Sequence, residues 1–218
     1  MKAVNLELLL PTDIPAGERI LWHGRPQWFS LARRAFRADF VAGYFALTAL
    51  ANFALAAPDS LAAAALAAAR TLGAGALGLC LLMGLAWLSS RTTLYVVTSR
   101  RVTMKIGIAL PVFFNLPFSS IPSASLRCYG DGTGEIALEL GPQTHIAYLH
   151  LWPHAKPFRV ARPQPALRCV PDAARVAETL SRALIAAANQ AQAAPAAPGA
   201  APAPAPAPAL YPDAVAAA

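Results

Sequence analysis

Two stretches of this chain leave little choice about where they can lie. Phe40 to Ala57 (FVAGYFALTALANFALAA) carries no charge and a single amide, Asn52. At the helical rise of about 1.5 Å per residue it spans roughly 27 Å, close to the hydrocarbon thickness of a bilayer. Thr71 to Ser89 (TLGAGALGLCLLMGLAWLS) is also uncharged and sets Trp87 near one end, where an amphipathic ring anchors at a membrane interface. Neither stretch has a polar face, so a buried helix pair in a soluble bundle is the weaker account. A transmembrane helical hairpin over residues 39–90 is expected. Small residues at Ala42 and Ala46, and at Ala74 and Gly78, repeat every four positions and would let two helices approach closely. The same spacing serves an intramolecular hairpin and a homo-oligomer equally well. The Ala-rich run Leu61 to Ala69 extends the second helix and leaves its start open.

Composition agrees, with 56% hydrophobic against 13% charged residues, far from the balance of a soluble domain. The N-terminal run MKAVNLELLLPTD is interrupted by Glu7 and closed by Pro11 and Asp13, so no signal-peptide core is expected there. Lys2, Arg19, Arg25, Arg33, Arg34 and Arg37 precede the first span, Arg70 alone lies between the spans, and Arg91, Arg100, Arg101 and Lys105 follow the second. The positive-inside rule then places both termini in the cytoplasm. The net charge of +7 follows from 18 Lys and Arg against 11 Asp and Glu, and much of it flanks the spans. Anionic lipid accounts for it more economically than nucleic acid, and no nucleic-acid partner is expected.

Residues 1–38 form a cytoplasmic N-terminal segment in this reading. Within it Trp28, Leu31, Ala32, Ala35 and Phe36 recur at helical spacing while Arg33, Arg34 and Arg37 fall on the other side. That is the pattern of an interfacial helix, with Trp28, Arg33, Arg34, Phe36 and Arg37 at the membrane surface. A plain positive flank without helical order explains the same arginines. Cys80 falls in the second span, Cys128 and Cys169 in the cytoplasm, where thiols stay reduced, and no disulfide is expected.

From Leu94 the texture changes to short β-branched and aromatic runs. LYVVT (Leu94 to Thr98) and RVTMKI (Arg101 to Ile106) flank a tight turn at Ser99 and Arg100 and predict a hairpin. SLRCY and EIALEL, separated by GDGTG (Gly130 to Gly134), predict a second, with glycines taking positive φ in the turn. VFFNLPF before it and THIAYLHL after it add strands. Pro171 and Asp172 start a helix whose apolar stripe is Val176, Leu180 and Leu184. Several antiparallel strands followed by one amphipathic helix predict an α+β fold, a small curved sheet or barrel closed by the helix, over residues 91–188.

At PAGERILWHGRP (Pro15 to Pro26), LYVVTSRRVTMKIG (Leu94 to Gly107) and FSSIPSASLRCYGDGTGEIALEL (Phe118 to Leu140) the chain resembles the bacterial pleckstrin-homology domain family. With HLWPHAKPFRVARPQPALRCVPDAARVA (His150 to Ala177) added, it is similar to photosynthetic complex assembly proteins of the PuhB type from purple phototrophic bacteria. The similarity covers about residues 15 to 186. It implies a pleckstrin-homology-like fold beside a membrane hairpin in the cytoplasmic (inner or intracytoplasmic) membrane, no enzymatic activity, and a role in building the reaction centre and its core light-harvesting antenna. Its implied partners are the reaction-centre and core-antenna polypeptides. The alternative is a generic membrane-anchored module that binds anionic lipid or an unrelated envelope protein.

HLWPHAKPF (His150 to Phe158) is the densest chemistry in the chain. His145, His150, His154, Cys128 and Cys169 offer zinc-type ligands, but a regular strand over Thr144 to Leu151 would point His145 and His150 to opposite faces, and no close CxxC pair exists. Neither a GxSxG elbow nor paired carboxylates appear, and GDGTG sits between alternating strands, so it reads as a turn rather than a phosphate loop. No catalytic residue, metal or cofactor is expected. Recognition remains: Pro153 and Pro157 restrict the loop, and His150, Trp152, His154 and Arg159 are the candidate partner-binding residues. Trp152 folded back on the sheet, with solvated histidines, is the competing account. The tail, 189–218, is nearly all Ala and Pro and is expected to form a mobile extension rather than a core.

Overall fold

The computed structural model describes residues 17–58, 60–108, 110–141, 146–156 and 163–193. The uncharged stretches form helices α2 (Ala38–Ala56) and α3 (Leu61–Thr92), which lie against each other. Only 11% of the apolar window of each is buried, unlike a core helix of a soluble domain. Both are long and apolar enough to cross a membrane. α3 starts well before Thr71 because the alanine-rich run, the best intrinsic helix former, is fully helical behind the Ser60 N-cap.

The small-residue stripe does not make the helix contact as expected. Ala42, Ala46 and Ala74 face outward. The contact instead uses Ala49, Ala64 and Gly75, because the Phe45 side chain packs against Gly75, where an added Cβ would come within 2.6 Å of its Cγ. Asn52 Nδ2 donates to Thr71 Oγ1 at 2.8 Å, so the one amide in the first span pairs across the hairpin. An unpaired amide in hydrocarbon would cost several kcal/mol, by order of magnitude.

The 32 residues of α3 extend about 48 Å, longer than a hydrocarbon core. Its last turns bury Ala86, Ser89 and Ser90 in a β-rich head. One antiparallel sheet has the order β1 (Ile20–Gly24), β2 (Leu94–Thr98), β3 (Arg101–Ile106), β4 (Val112–Pro117); the second has β5 (Ser123–Cys128), β6 (Thr133–Glu139), β7 (Ala166–Pro171). Both predicted hairpins form, with Val96 opposite Thr103 and Leu126 opposite Ile136. GDGTG is the turn between β5 and β6: Gly132 takes φ 75°, and the Asp131 carboxylate accepts from the Thr133 amide at 3.1 Å.

Two expectations are corrected, and one strand, β7, was not anticipated. The strand over THIAYLHL is replaced by a helical turn, α4 (Tyr148–Leu151), with Thr144 and His145 outside the described residues. β7 arises from ALRCVP, which reads poorly as a strand because it carries an arginine, but Arg168 is buried and internally bonded. β1 pairs with β2, so residues 20–24, expected in the N-terminal segment, join the first sheet; the hairpin is inserted between two neighbouring strands of that sheet. The buried Glu18 closes this connection through a bidentate pair with Arg101, at 2.7 and 3.0 Å.

The inner faces of the two sheets enclose the core. Tyr95, Val97, Val102 and Met104 meet Ile136, Leu138, Leu167 and Val170, and helix α5 (Ala173–Ala193) closes it with Val176 and Leu180. Each such large side chain contributes roughly 1.5–3 kcal/mol by leaving water. The predicted stripe of α5 is the buried one, with Leu184 at its margin.

Candidate functional site

The loop that follows α4 runs back to the point where α3 enters the head. The Trp152–Pro153 bond there is cis. His154 is fully buried, which corrects the expectation that this loop presents it to a partner. Its Nδ1 lies 2.5 Å from the Tyr95 hydroxyl, and its Nε2 lies 3.0 Å from Thr93 Oγ1 and 3.4 Å from Ser89 Oγ. The Arg168 amide donates to the same tyrosine oxygen at 3.3 Å. Direction follows from that: Tyr95 O–H donates to Nδ1, leaving the proton on Nε2 to donate toward Thr93. Burial, reinforced by the Arg168 charge, pushes the imidazole down to about 3, so it stays neutral. Burial also raises the Tyr95 phenol. The group is a polar knot that ties the last turn of α3 to β2 and to the loop before β7.

Arg168 carries the knot outward. Its Nη1 donates to Pro153 O at 3.0 Å and its Nη2 to Arg34 O at 3.4 Å, while Nε lies 3.6 Å from Glu135 Oε1. Glu135 Oε2 accepts from the Tyr129 hydroxyl at 2.9 Å. Burial and the Glu135 carboxylate push the Tyr129 phenol up to about 12. Asp131, hydrogen-bonded by Thr133 and Ser30, is held down to about 2.

Helix α1 (Trp28–Arg34) is wedged between α3 and β7. Leu31, Ala32 and Phe36 pack with Ala86 and Cys169, so the apolar stripe expected to enter lipid is covered by protein instead. Phe36 is therefore a joint residue rather than a membrane contact. The Gln27 amide donates to Cys169 O at 2.8 Å and Ser90 Oγ to Pro26 O at 2.6 Å, which ties the N-terminal end of the wedge to both β7 and α3. Trp28 keeps a substantial exposed face. Arg33 pairs with Asp39 at 2.9 Å; Arg34 lies 3.6 Å over the Tyr129 ring and 3.5 Å from Asp131; Arg37, with φ 57°, opens α2.

Trp152 remains 48% exposed and meets Phe36 edge to face, with ring centroids 5.2 Å apart. Of the two partner-binding candidates whose side chains are described, Trp152 is accessible and His154 is not. Arg159 and the side chain of His150 lie outside the described residues. Cys169 is buried, as a small apolar residue would be, whereas Cys80 and Cys128 are exposed. Tyr95, Arg168 and Glu135 were missed in the sequence because each sits in a strand with no motif around it.

Taken together, two antiparallel sheets closed by a helix are locked onto the end of a helical hairpin. The chain belongs to the bacterial PH domain family, whose profile matches residues 42–184. It is 41% identical, over 186 residues, to an uncharacterized 23.7 kDa protein in the puhA 5′ region of Rhodobacter capsulatus, covering 84% of this chain and 87% of that protein. Among solved structures it is similar to a DUF1696 family protein with a pleckstrin-homology domain from Shewanella loihica, at 13% identity and a TM-score of 0.28, covering 41% of this chain and 69% of that one.

Proposed function

We propose that this protein is a membrane-anchored assembly factor for the photosynthetic reaction centre and core light-harvesting complex, binding their subunits at the cytoplasmic face. The observation that carries this reading is the near full-length similarity to the Rhodobacter capsulatus protein of the puhA region, which favours a photosynthesis-associated role. Two apolar helices support an integral, multi-pass location, and the arginines that flank them, with Arg70 alone between them, favour both termini being cytoplasmic. The polar knot supports the mechanism. A head locked to the end of α3 cannot drift from the bilayer, which raises its effective concentration for newly inserted subunits. Contacts can then stay weak and reversible. Deleting the gene in a phototrophic host tests this: reaction-centre and core-antenna absorption should accumulate more slowly and to a lower level. Unchanged accumulation would end the proposal.

The second reading is a lipid-binding envelope module, favoured by the arginines gathered where α1 meets α2. Pull-downs that return no photosynthetic subunit, with liposome binding that depends on Arg33, Arg34 and Arg37, would support it instead.

A further inference from the structure

Among the described strands β5 alone is exposed along its whole length. It is an outer strand of its sheet, bonded to β6 on one side and to nothing among the described residues on the other. A groove of about 350 Å³, lined by Ser123, Ser125 and Leu126 and by Ala177, Leu180 and Leu184, separates it from α5. Leu126 stands opposite Ile136 on the same face, yet Leu126 is 44% exposed and Ile136 only 1%. Ala124, across from the buried Leu138, is exposed as well. The core face of the sheet is therefore covered over β6 and bare over β5. Such an edge invites pairing unless charge, proline or another segment covers it, and β5 carries a single charge, Arg127.

The chain carries a segment that fits this edge. Pro202, Pro204, Pro206 and Pro208, outside the described residues, alternate with Ala203, Ala205 and Ala207. In an extended strand the backbone groups of alternate residues point to opposite edges, so all the alanine amides would turn one way and the prolines, which have no N–H, the other. A strand of that kind can pair once and no further. Both residue types are apolar, and neither the segment nor the groove holds a charge.

Length and direction permit the docking. α5 begins at the Cys128 end of β5, where a Cβ added to Gly134, opposite Cys128, would meet Ala173, and it runs back along the groove to Leu184. From Leu184 to the end of α5 at Ala193 is about 14 Å of helix, and residues 194–201 in extended form cover about 25 Å, enough to return to the Ser123 end. We infer that residues 202–208 add to β5 as a fourth, parallel strand of the second sheet, with the alanine edge inward, and close the groove over Leu126 and Leu184. The proline edge then ends the sheet, which keeps heads crowded on one bilayer from joining edge to edge. So short a tether gives the segment an effective concentration of about millimolar order, and a weak contact suffices. This concerns the chain's own tail and goes beyond the choice between a photosynthetic and a lipid partner.

Amide hydrogen exchange of the full-length protein in detergent, read by mass spectrometry, provides the test. In the wild type the amides of Ala203, Ala205 and Ala207 should exchange roughly tenfold or more below the unstructured rate. Ala203→Pro with Ala205→Pro and Ala207→Pro removes those donors while keeping the segment extended and uncharged, and should speed exchange in β5 by a similar factor. Pro202→Ala with Pro204→Ala and Pro206→Ala keeps the donors and should leave β5 slow. None of these changes touches the folded head. Tail alanines that exchange at the unstructured rate in the wild type would overturn the inference, as would protection of β5 that is unchanged in the triple-proline variant. Protection that falls on dilution would overturn it too, by assigning the edge to a second copy of the chain.

Discussion

The Tyr95 hydroxyl lies 2.5 Å from Nδ1 of His154, and the opposite edge of that imidazole faces Thr93 and Ser89 at the end of α3. One buried ring thus joins a strand of the first sheet, the loop leading to the second, and the helix that leaves for the membrane. Removing the ring strands several buried polar atoms and opens a cavity. His154→Ala should destabilise the head by about 2–4 kcal/mol, and Tyr95→Phe by about 1–2 kcal/mol. Urea unfolding followed by tryptophan fluorescence in detergent would report both. An unchanged midpoint for His154→Ala would show that the knot carries no stability.

The same ring sets a pH dependence. In the folded protein it titrates at about 3, against an ordinary value of 6.5 that the unfolded chain should show, so the unfolded state takes up the proton first. Its contribution is complete above about pH 6.5 and is lost as the pH falls toward 3, by up to about 1.4 kcal/mol per unit. The urea midpoint should therefore decline between pH 6.5 and 5 in the wild type, and His154→Gln should lack that decline. Glu18 and Asp131, both held below their ordinary values of 4.5 and 3.8, lose their contributions only at lower pH. For Glu18 burial acts in the other direction and is outweighed by hydrogen bonds from Arg101 and Thr98.

Within the hairpin, Asn52 and Thr71 should behave as a coupled pair. A cycle of Asn52→Leu, Thr71→Val and the double variant should give a coupling of about 1 kcal/mol in SDS-induced unfolding. Gly75→Leu should do more damage than either single change, because the Phe45 ring occupies the space a side chain would need. Full additivity in the cycle would dismiss the interhelical bond.

These predictions also show where the sequence was readable. The two spans, the hairpins at Ser99–Arg100 and GDGTG, and the Val176–Leu180 stripe follow from periodicity and turn chemistry, which are local. β1 and β7 were not legible, because ILWHG and ALRCVP are short; Glu18, just before β1, and Arg168, within β7, are satisfied only by distant partners, Arg101 for the first and Pro153 O and Arg34 O for the second. The α1 stripe was read correctly as apolar, yet its partner was misassigned; periodicity reports which face is greasy, not whether lipid or Ala86 and Cys169 cover it. His154 failed in the same way. A histidine between prolines reads as displayed until the tertiary structure supplies Tyr95, Thr93 and Ser89.

Trp152, half exposed beside Phe36 and immediately before the knot residues Pro153 and His154, is an accessible aromatic residue of the joint. A photoreactive benzophenone side chain installed in place of Trp152, activated in phototrophically growing cells, asks directly what the head touches. The account predicts crosslinks to reaction-centre or core-antenna polypeptides; crosslinks to lipid and unrelated envelope proteins alone would contradict it.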